Sequence, residues 1–337
     1  RMLIDEKLPL TNLLYEGGGH FYLLMPGSFL DRLENYRLLL EKLMYEAHGE
    51  KLSILLAGES VSFNDLQRGN FSGKWKNVSE AITEEKNQKF LSLIKNEKEA
   101  FFGPFDSSDK VCPYCKSPLN NDDENCHFCN SFAELGERIV KSNVLAESWH
   151  LPKPRLIVKV EDIFANLGLE VRLEKEPLKG FFNYSLKKDT SDICEGTLKI
   201  PTSMPMEKGA IKSFDSIANA SQGLKRWGIL RGDVDNLGSI FKSGLGDRGT
   251  ISRVMNLSGD IAHFFGPILE ELVTEDADCM VIYSGGDDFF IVGRWDRLPY
   301  IANRIHEEFR NYCGFNPDVT VSMAINVAPD VKFPLYQ

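Results

Sequence analysis

The sequence lacks a long hydrophobic run, an excess of basic residues and the charge-free start of a secreted protein. Apolar runs such as Ile54–Ala57 and Phe289–Val292 have the length of a strand, whereas a membrane-spanning helix needs about 20 apolar residues, so no membrane partner is expected. Residues 1–7 are too charged for a secretory signal. With 39 basic and 49 acidic residues, the net charge is −10, which makes the chain a poor candidate for a protein that mainly coats nucleic-acid phosphates. The balance favours a metal-using enzyme, or a subunit whose basic partners hold the nucleic acid.

The seven cysteines are few and unevenly placed. In a chain without an export signal they favour a reducing compartment, and the cytoplasm is the expected location. Four of them form two C-x2-C pairs, which are Cys112 with Cys115 and Cys126 with Cys129. Four thiolates at this spacing predict a closed, structural Zn²⁺ site. Two disulfides or unligated thiols are the alternatives. We expect residues 106–133 to form this zinc knuckle.

The last third of the chain, residues 225–337, has the pattern of one α+β domain. Strand-like segments and two amphipathic helices follow one another in the order βαββαβ, which is that of a ferredoxin-like palm domain. The first strand ends at Asp233, and the turn Gly285–Asp288 joins the second strand to the third. Because the first and third strands are the central pair of such a sheet, we expect Asp233 to lie beside Asp287 and Asp288.

Three carboxylates at one sheet edge repel one another and raise their own pKa values. A divalent cation relieves this repulsion, and Mg²⁺ is typically bound through one or two carboxylates, water and substrate phosphates. We therefore predict Mg²⁺ or Mn²⁺ at Asp233, Asp287 and Asp288. Two such cations about 3.5–4 Å apart activate an attacking hydroxyl and stabilise a leaving oxygen. The predicted chemistry is nucleotidyl transfer, in which a ribose hydroxyl attacks the α-phosphate of a nucleoside triphosphate and pyrophosphate leaves.

The turns around these carboxylates are typical of a nucleotide site. Two glycines in the hairpin permit a tight reversal and the close approach of a phosphate or base. The segment after Asp233 offers backbone N–H groups at the start of a helix. The residues expected to bind nucleotide are Val234, Asp235, Asn236, Leu237, Gly238, Ser284, Gly285 and Gly286. The alternative is a solvated hairpin turn, because glycine and aspartate are common turn residues.

The first third of the chain, residues 1–105, predicts an incomplete domain of the same kind. Two strands flank a glycine turn at 17–19, a helix follows at about 29–48, and Lys51–Leu56 is predicted as a strand. The opening strand and helix of a βαββαβ unit are not found before them.

Residues 134–224 are expected to form an α/β linker, with one strand at Arg155–Val160. The predicted fold class is therefore α+β. It comprises two ferredoxin-like palm domains, the first incomplete, with a zinc-knuckle insertion and an α/β linker between them.

Two motifs are similar to those of a known family. Arg231–Gly238, followed by Tyr283–Asp288, resembles the second palm domain of the large subunit of type III CRISPR–Cas effectors. Upstream, Tyr15–Pro26 resembles the first palm of the same subunit, more closely in its III-A (Csm) branch. The order of palm, four-cysteine knuckle, linker and palm covers nearly the whole chain. The motifs are specific in combination, since diguanylate cyclases share the palm and the glycine hairpin.

The resemblance implies a synthase, activated by target RNA, that joins ATP into cyclic oligoadenylates as antiviral second messengers. It implies that Asp233 and Asp287 hold metal, that Asp288 assists, and that Val234 contributes its carbonyl. A second ATP would bind the first palm, whose turn has no acidic pair. The residues expected there are Gly17, Gly18 and Gly19. The implied partners are the small backbone and guide-cap subunits of the effector complex, with guide RNA and target RNA contacted indirectly.

A departure from the family at the nuclease motif limits this expectation. Its N-terminal nuclease domain has a His-Asp metal motif, and this sequence has no His-Asp dipeptide. We therefore expect no single-stranded DNA cleavage from this chain, which we interpret as a fragment without the nuclease domain and the C-terminal helical domain.

Two alternatives stay open. One is a diguanylate-cyclase-like enzyme, favoured by Asp288-Phe289 where such cyclases usually have Glu-Phe. The other is a structural scaffold subunit with a vestigial palm.

Overall fold

The structure is a computed structural model that describes residues 1–17, 19–67, 71–103, 110–119, 123–198, 200–333 and 335. Its α-helices are α1 (Met2–Asp5), α2 (Leu33–His48), α3 (Phe71–Lys86), α4 (Leu91–Asn96), α5 (Lys98–Phe102), α6 (His127–Lys141), α7 (Val160–Asn166), α8 (Phe214–Ala220), α9 (Leu237–Ser239), α10 (Ile251–His263), α11 (Leu269–Thr274) and α12 (Leu298–Tyr312). Its strands are β1 (Leu13–Gly17), β2 (His20–Leu23), β3 (Val144–Trp149), β4 (Leu169–Glu174), β5 (Phe182–Ser185), β6 (Gly196–Thr197), β7 (Met206–Glu207), β8 (Ala210–Ile211), β9 (Trp227–Val234), β10 (Cys279–Gly285), β11 (Asp288–Arg294) and β12 (Val321–Val327). Within the described ranges, no helix is long and apolar enough to cross a membrane.

The described residues divide into two compact units. The first contains Arg1–Leu10, Met25–Leu66 and 71–198, and the second contains Thr11–Leu24, Gln67 and the residues from 200 onward. The N-terminal hairpin β1–β2, expected in the first palm, thus packs within the second unit. The domain boundaries at 105/106, 133/134 and 224/225 stay predictions.

The first unit combines helices α1 to α7 with a four-stranded sheet in the order β4-β3-β5-β6. Strand β3 is antiparallel to β4 and to β5, whereas β5 and β6 are parallel. Helix α2 buries Leu40, Leu43 and Met44. The buried Glu41 carboxylate on the same helix accepts a hydrogen bond from the Leu93 N–H at 2.8 Å. This bond satisfies an N–H group at the start of α4 that has no partner within its own helix.

Two strand predictions in the first unit are wrong. Residues Lys51–Leu56 form no ladder within the described chain, and the Leu56 carbonyl instead accepts a hydrogen bond from Arg37 Nε at 2.9 Å. Residues Arg155–Val160 also form no strand, because the Asp162 carboxylate accepts hydrogen bonds from the N–H groups of residues 158 and 159. These two bonds start helix α7 at residue 160. The strands of residues 134–224 are β3 to β8 instead.

The second unit is built on a four-stranded antiparallel sheet in the order β10-β11-β9-β12. Its elements follow the βαββαβ order along the chain, and the first and third strands, β9 and β11, are the central pair, as expected. The antiparallel hairpin β1–β2 packs against helix α10.

Both faces of this sheet carry buried apolar residues. On the face covered by the long helices, Leu230, Phe289 and Ile305 are almost fully buried. On the other face, Trp227 packs with helix α8, and its Nε1–H donates a hydrogen bond to the Val331 carbonyl at 2.9 Å. The residues that pack around Trp227 and α8 do not cover the strand ends near Asp233, which is exposed. This end of the sheet is therefore accessible.

The segment after β9 reaches the first amphipathic helix through two short helical turns. Only one α-helical turn, α9, follows Asn236, and a π-helical turn at Ile240–Gly244 comes next. The long helix α10 begins at Ile251, where the Thr250 side chain accepts a hydrogen bond from the Arg253 N–H. Glycines between 238 and 249 explain why no long helix forms before Ile251, because glycine within a helix costs about 0.5–1 kcal/mol relative to alanine.

Candidate functional site

The strand register brings three carboxylates to one edge of the sheet in the second unit. Asp288 on β11 lies opposite Asp233 on β9, and the N–H of Val234 donates a hydrogen bond to the Asp287 carbonyl at 3.0 Å. On the other side of Asp233, β12 places Ser322 opposite it. We call Asp233, Asp287 and Asp288 the carboxylate row. The order of the strands predicted that these carboxylates would lie close together.

The carboxylate row carries uncompensated negative charge. Burial and the charges of Asp287 and Asp288 raise the pKa of Asp233. The Oδ1 atom of Asp288 is buried, and the described residues supply no hydrogen-bond donor to it. Burial first, and then the nearby Asp288 carboxylate, raises the pKa of Tyr283 to about 12, so this phenol keeps its proton. Crowded carboxylates with an unpartnered buried oxygen fit a divalent cation.

Glycine is required at the strand position before Asp233. A Cβ atom on Gly232 would lie 2.3 Å from Cζ of Phe289, whose ring covers this position and stacks on Phe265 with centroids 5.7 Å apart. The Phe289 ring therefore anchors β11 directly beside Asp288. In the turn, Gly286 adopts φ +67°, a conformation that glycine adopts without steric penalty.

The side chains of two residues that were predicted to bind nucleotide form hydrogen bonds to other residues of the protein. The Asp235 carboxylate accepts hydrogen bonds from the hydroxyls of Thr320 and Ser322, both at 2.6 Å, and these bonds lower its pKa. The Ser284 hydroxyl donates a hydrogen bond to the Phe265 carbonyl. These bonds tie the two turns to β12 and to the helical layer. The side chains of Asp235 and Ser284 therefore hold in place the two turns beside the carboxylate row.

The other predicted nucleotide residues differ in exposure. The side chains of Val234 and Leu237 are 1% and 5% exposed, so only their backbones can reach a ligand. Asn236 adopts φ +56° at the turn after Asp235. Gly238, Gly285 and Gly286 lie at the two turns, as expected.

The N-terminal hairpin adds a residue that sequence reasoning did not single out. Burial and the charge of Asp287 raise the pKa of Tyr15 to about 12, and its ring contacts Phe241 with centroids 5.3 Å apart. In the hairpin turn, Gly17 pairs with His20, and Gly19 adopts φ +72°. No sequence signal placed this hairpin beside Asp287, because the contact joins segments more than 200 residues apart.

Gly18, the third glycine predicted for this turn, lies outside the described residues.

The first unit contains the other predicted site, the four-cysteine cluster of Cys112, Cys115, Cys126 and Cys129. Their sulfur atoms all lie within 4.8 Å of one another. The Sγ atom of Cys126 caps helix α6 by accepting a hydrogen bond from the Cys129 N–H at 3.3 Å. The first pair lies in a turn, in which the Lys116 N–H donates a hydrogen bond to the Cys112 carbonyl at 2.9 Å. A turn and a helix start thus face the same point, and the four thiols can hold one metal ion.

Local hydrogen bonds lower the pKa of Cys112 and Cys115, whereas burial raises the pKa of Cys126 and Cys129. Burial alone raises the pKa of Cys112, but backbone N–H groups of Cys115, Cys126 and Tyr114 outweigh it and lower that pKa to about 6. A thiolate is the form of cysteine that binds metal. The donor set therefore fits a tetrahedral cation.

Two family models match parts of the chain. Residues 226–337 match the second palm domain of Cas10/Cmr2, and residues 1–107 match the Csm1 subunit domain B.

Curated relatives match over nearly the full chain. A protein of Methanocaldococcus jannaschii, named as the CRISPR system single-strand-specific deoxyribonuclease Cas10/Csm1 of subtype III-A, is 28% identical over 95% of the chain. A protein of Enterococcus italicus with the same name is 28% identical over 99% of the chain. The match covers 47% and 44% of these two relatives, so the chain spans less than half of their length.

Solved structures share the fold. A Csm1–Csm4 cassette in complex with one ATP aligns with a TM-score of 0.75 and 22% identity over 99% of this chain and 45% of that one. A Csm1–Csm4 cassette with cA4 aligns with a TM-score of 0.73 and 20% identity, over 99% of this chain and 45% of that one. The resemblance indicated by the motifs is confirmed: the chain is similar, along nearly its whole length, to the large subunits of type III-A CRISPR–Cas effectors.

Proposed function

We propose that this relative of the large type III-A subunits joins ATP molecules into cyclic oligoadenylates by nucleotidyl transfer. The observation that carries the proposal is the carboxylate row, in which Asp288 Oδ1 is buried without a partner beside Asp233 and Asp287. Related cassettes solved with ATP, cA3 and cA4 support this choice of nucleotide. Mg²⁺ or Mn²⁺ bound there would activate the attacking hydroxyl and neutralise charge on the triphosphate.

The residues around the row have separable roles in this proposal. Asp233 and Asp287 are the cation ligands, Asp288 assists them, and the Val234 carbonyl is a further oxygen. The Tyr283 hydroxyl donates a hydrogen bond to the Gly285 carbonyl at 3.4 Å, in the turn that carries Asp287. In the reaction, a ribose hydroxyl of the ATP held at the N-terminal hairpin loses its proton to water, and its oxygen forms a bond to the α-phosphorus of the ATP at the carboxylate row. The bond from that phosphorus to the bridging oxygen breaks, and pyrophosphate leaves.

The second ATP binds at the glycine turn of the N-terminal hairpin, at Gly17, Gly18 and Gly19. The influence of Asp287 on the pKa of Tyr15 supports this, because Tyr15 lies on the strand that leads into that turn. The hairpin supplies no acidic pair, so its role is to hold a nucleotide.

We also infer that the four-cysteine cluster holds Zn²⁺. Its sulfurs approach one another within the distances of a tetrahedral site, and with four thiolates the ion has no open position for a substrate. The ion would join the turn at Cys112 to the start of α6 and stabilise a segment that has few apolar residues.

The proposed partners are the backbone and guide-cap subunits of an effector complex in the cytoplasm, with guide and target RNA contacted indirectly. Relatives solved as Csm1–Csm4 cassettes support a partner of the Csm4 kind. The deoxyribonuclease in the relatives' names is not proposed here, because the His-Asp motif of that activity does not occur in this sequence.

The proposal is tested by incubating the chain with ATP or with GTP, plus Mg²⁺ or Mn²⁺, and resolving the products by mass. Linear and cyclic oligoadenylates from ATP are expected. Cyclic dimeric GMP would show a diguanylate cyclase instead. Neither product, together with no ATP binding by calorimetry, would show a scaffold with a vestigial palm.

A further inference from the structure

Strand β12 is an edge strand of the second unit's sheet, and it lacks the features that usually protect an edge. Edge strands have unpaired backbone groups, which proteins protect with charged side chains, bulges or very short strands. Of the other edges of the two described four-stranded sheets, β4 carries three charged residues and β6 has only two residues. Strand β10 has a register shift between Val281 and Tyr283, as at a β-bulge. By contrast, β12 pairs in regular register over seven residues, and residues 319–329 carry no charge.

The outer side of β12 offers backbone donors and acceptors. At one end of its pairing with β9, the Asp235 N–H donates a hydrogen bond to the Thr320 carbonyl at 2.9 Å. At the other end, the Ala328 N–H donates one to the Trp227 carbonyl at 3.0 Å. Because backbone groups alternate in direction along a strand, the even-numbered residues of β12 face β9 and the odd-numbered residues face outward. No strand within the described ranges pairs with this outer side. The outward-facing residues are Val321, Met323, Ile325 and Val327.

Side chains of β12 are also exposed on both faces of the sheet. Ile325 is 40% exposed, and Met323 and Val327 are half-buried. These side chains share the face on which Phe289 lies, because the Cβ position of Gly232 is close to the side chains of both Phe289 and Met323. The opposite face has three small or polar side chains, all exposed, which are Ser322, Ala324 and Asn326.

The sequence of β12 is chemically symmetric about Ala324. The residues that correspond to one another are Val321 with Val327, Ser322 with Asn326, and Met323 with Ile325. If two copies pair antiparallel about a two-fold axis at Ala324, each residue lies opposite its counterpart in the other copy. In this register the odd-numbered residues form the hydrogen-bonded pairs, as their outward backbone groups require. Apolar side chains then meet apolar ones, polar side chains meet polar ones, and no like charges meet.

This symmetry favours a second copy over an unrelated strand. When a foreign segment adds to a sheet edge, main-chain hydrogen bonds give affinity, and the neighbouring side chains give specificity. Residues 319–329 provide no charge with which to select such a segment. A second copy needs no further selection, because the strand complements itself.

We propose that two copies of this chain associate through β12 and form one continuous eight-stranded antiparallel sheet. Pairing about Ala324 forms about eight backbone hydrogen bonds, two for each hydrogen-bonded pair of residues. It also covers the exposed part of Ile325 with Met323 of the second copy. The contact is closed, because each copy uses the same strand. A contact made by a single strand is smaller than a standard interface, so we expect a Kd of about 1–100 µM.

The first test measures the oligomeric state by analytical ultracentrifugation from about 1 to 200 µM protein. The wild type should show an equilibrium of monomer and dimer. Ile325→Lys should weaken dimerisation about tenfold or more, because each dimer contains two contacts of this residue and a lysine at an edge opposes pairing. The matched control is Ile282→Lys, which changes an isoleucine of similar exposure, 38%, on the opposite edge strand β10. This control should dimerise as the wild type does, and thermal unfolding shows whether each variant keeps the fold.

The second test uses the position on the two-fold axis. Ala324→Lys places two lysines directly opposite each other and should weaken dimerisation about fivefold or more. A mixture of Ala324→Lys with Ala324→Glu should associate more tightly than either variant alone, because opposite charges then face each other. An antiparallel pairing in another register does not place residue 324 opposite itself and predicts no such rescue.

Four results would overturn the inference. They are a wild type that stays monomeric over the whole range, an Ile325→Lys variant that dimerises normally, an equal loss in Ile325→Lys and Ile282→Lys, and a mixture of the two Ala324 variants that associates no more tightly than either alone. Species that keep growing beyond the dimer as the concentration rises would also contradict a closed two-fold contact. The inference does not depend on the nucleotidyl transfer, so each of these results leaves the proposed function standing.

Discussion

The four-cysteine cluster and the carboxylate row gather ionisable side chains in opposite ways. The cluster combines a turn and a helix start, and the N–H groups around it lower the pKa of Cys112 to about 6. The carboxylate row combines two strand ends, and its own charges raise the pKa of Asp233. Backbone N–H groups donate hydrogen bonds to the Cys112 sulfur, whereas the buried Asp288 Oδ1 has no donor among the described residues.

This difference separates a structural metal site from a reactive one. Four converging thiolates use every position of a tetrahedral ion, so such a site stabilises the fold and offers nothing to a substrate. Three carboxylates at an open sheet edge leave positions for water and phosphate oxygens. We therefore expect changes in the cluster to alter stability first, and changes in the row to alter chemistry first.

The largest expected effect is the loss of synthesis when the carboxylate row is removed. Asp287→Ala with Asp288→Ala should lower oligoadenylate formation by at least about 1,000-fold, since the cation ligands are lost. Thermal unfolding should change little, because the removed charges repel one another. The matched control is Glu307→Ala with Glu308→Ala on helix α12, which should synthesise normally. Persistent synthesis by the row variant would refute the assignment.

Substitutions in the four-cysteine cluster should lower the stability of the protein. Cys112→Ser with Cys126→Ser should abolish the binding of one Zn²⁺ per chain, measured by mass spectrometry of the native protein. The midpoint of thermal unfolding should fall by at least about 5 °C, because the turn and helix α6 are no longer joined. Cys313→Ser, a change outside the cluster, is the control. An unchanged midpoint in the double variant would contradict a structural role.

A smaller effect is expected from the residue that positions the row. Asp235→Asn should lower kcat about tenfold with little change in KM, because it weakens the bonds from Thr320 and Ser322, and hydrogen bonds to a charged group contribute about 1.5–3 kcal/mol each. Thr320→Val, which removes one of the two hydrogen bonds to Asp235, should reproduce part of this effect. A large rise in KM with unchanged kcat would mean that Asp235 contacts the nucleotide directly.

The smallest expected effect is a pH dependence in the first unit. His48 packs its ring against Phe128 and Phe132 of α6, at centroid distances of 5.2 and 6.1 Å, and burial lowers its pKa. The unfolded chain therefore takes up the proton first, so the stabilising contribution is complete above pH of about 6.5 and is lost as the pH falls towards the folded pKa.

The control for this prediction is His48→Phe, which keeps the ring and cannot titrate. The unfolding midpoint of the wild type should fall relative to this variant as the pH is lowered from 7 to 5. Parallel pH curves would contradict the prediction.

The spacing of residues along the sequence predicted the order of helices and strands in the second unit and the four-cysteine cluster. The βαββαβ order of the second palm and the positions of Asp233 and Asp287 followed from strand pattern and topology. The convergence of the four cysteines followed from two C-x2-C pairs.

Long-range contacts account for the errors and omissions. Lys51–Leu56 has the composition of a strand, but a hydrogen bond from Arg37 takes its last carbonyl. Tyr15 reaches Asp287 only through packing of the hairpin in the second unit. Ser284 was expected to face the nucleotide, and its hydroxyl bonds instead to the Phe265 carbonyl, which no sequence pattern reveals.

The central claim is that the carboxylate row binds divalent cations beneath a nucleoside triphosphate. The most direct measurement is a crystal structure of the chain with AMPPNP and Mn²⁺, with the Mn²⁺ located by its anomalous signal. The account predicts an anomalous peak within coordination distance of Asp233 and Asp287, with the phosphates on the same ion. A well-ordered nucleotide without Mn²⁺ at these carboxylates, or with Mn²⁺ elsewhere, would contradict it.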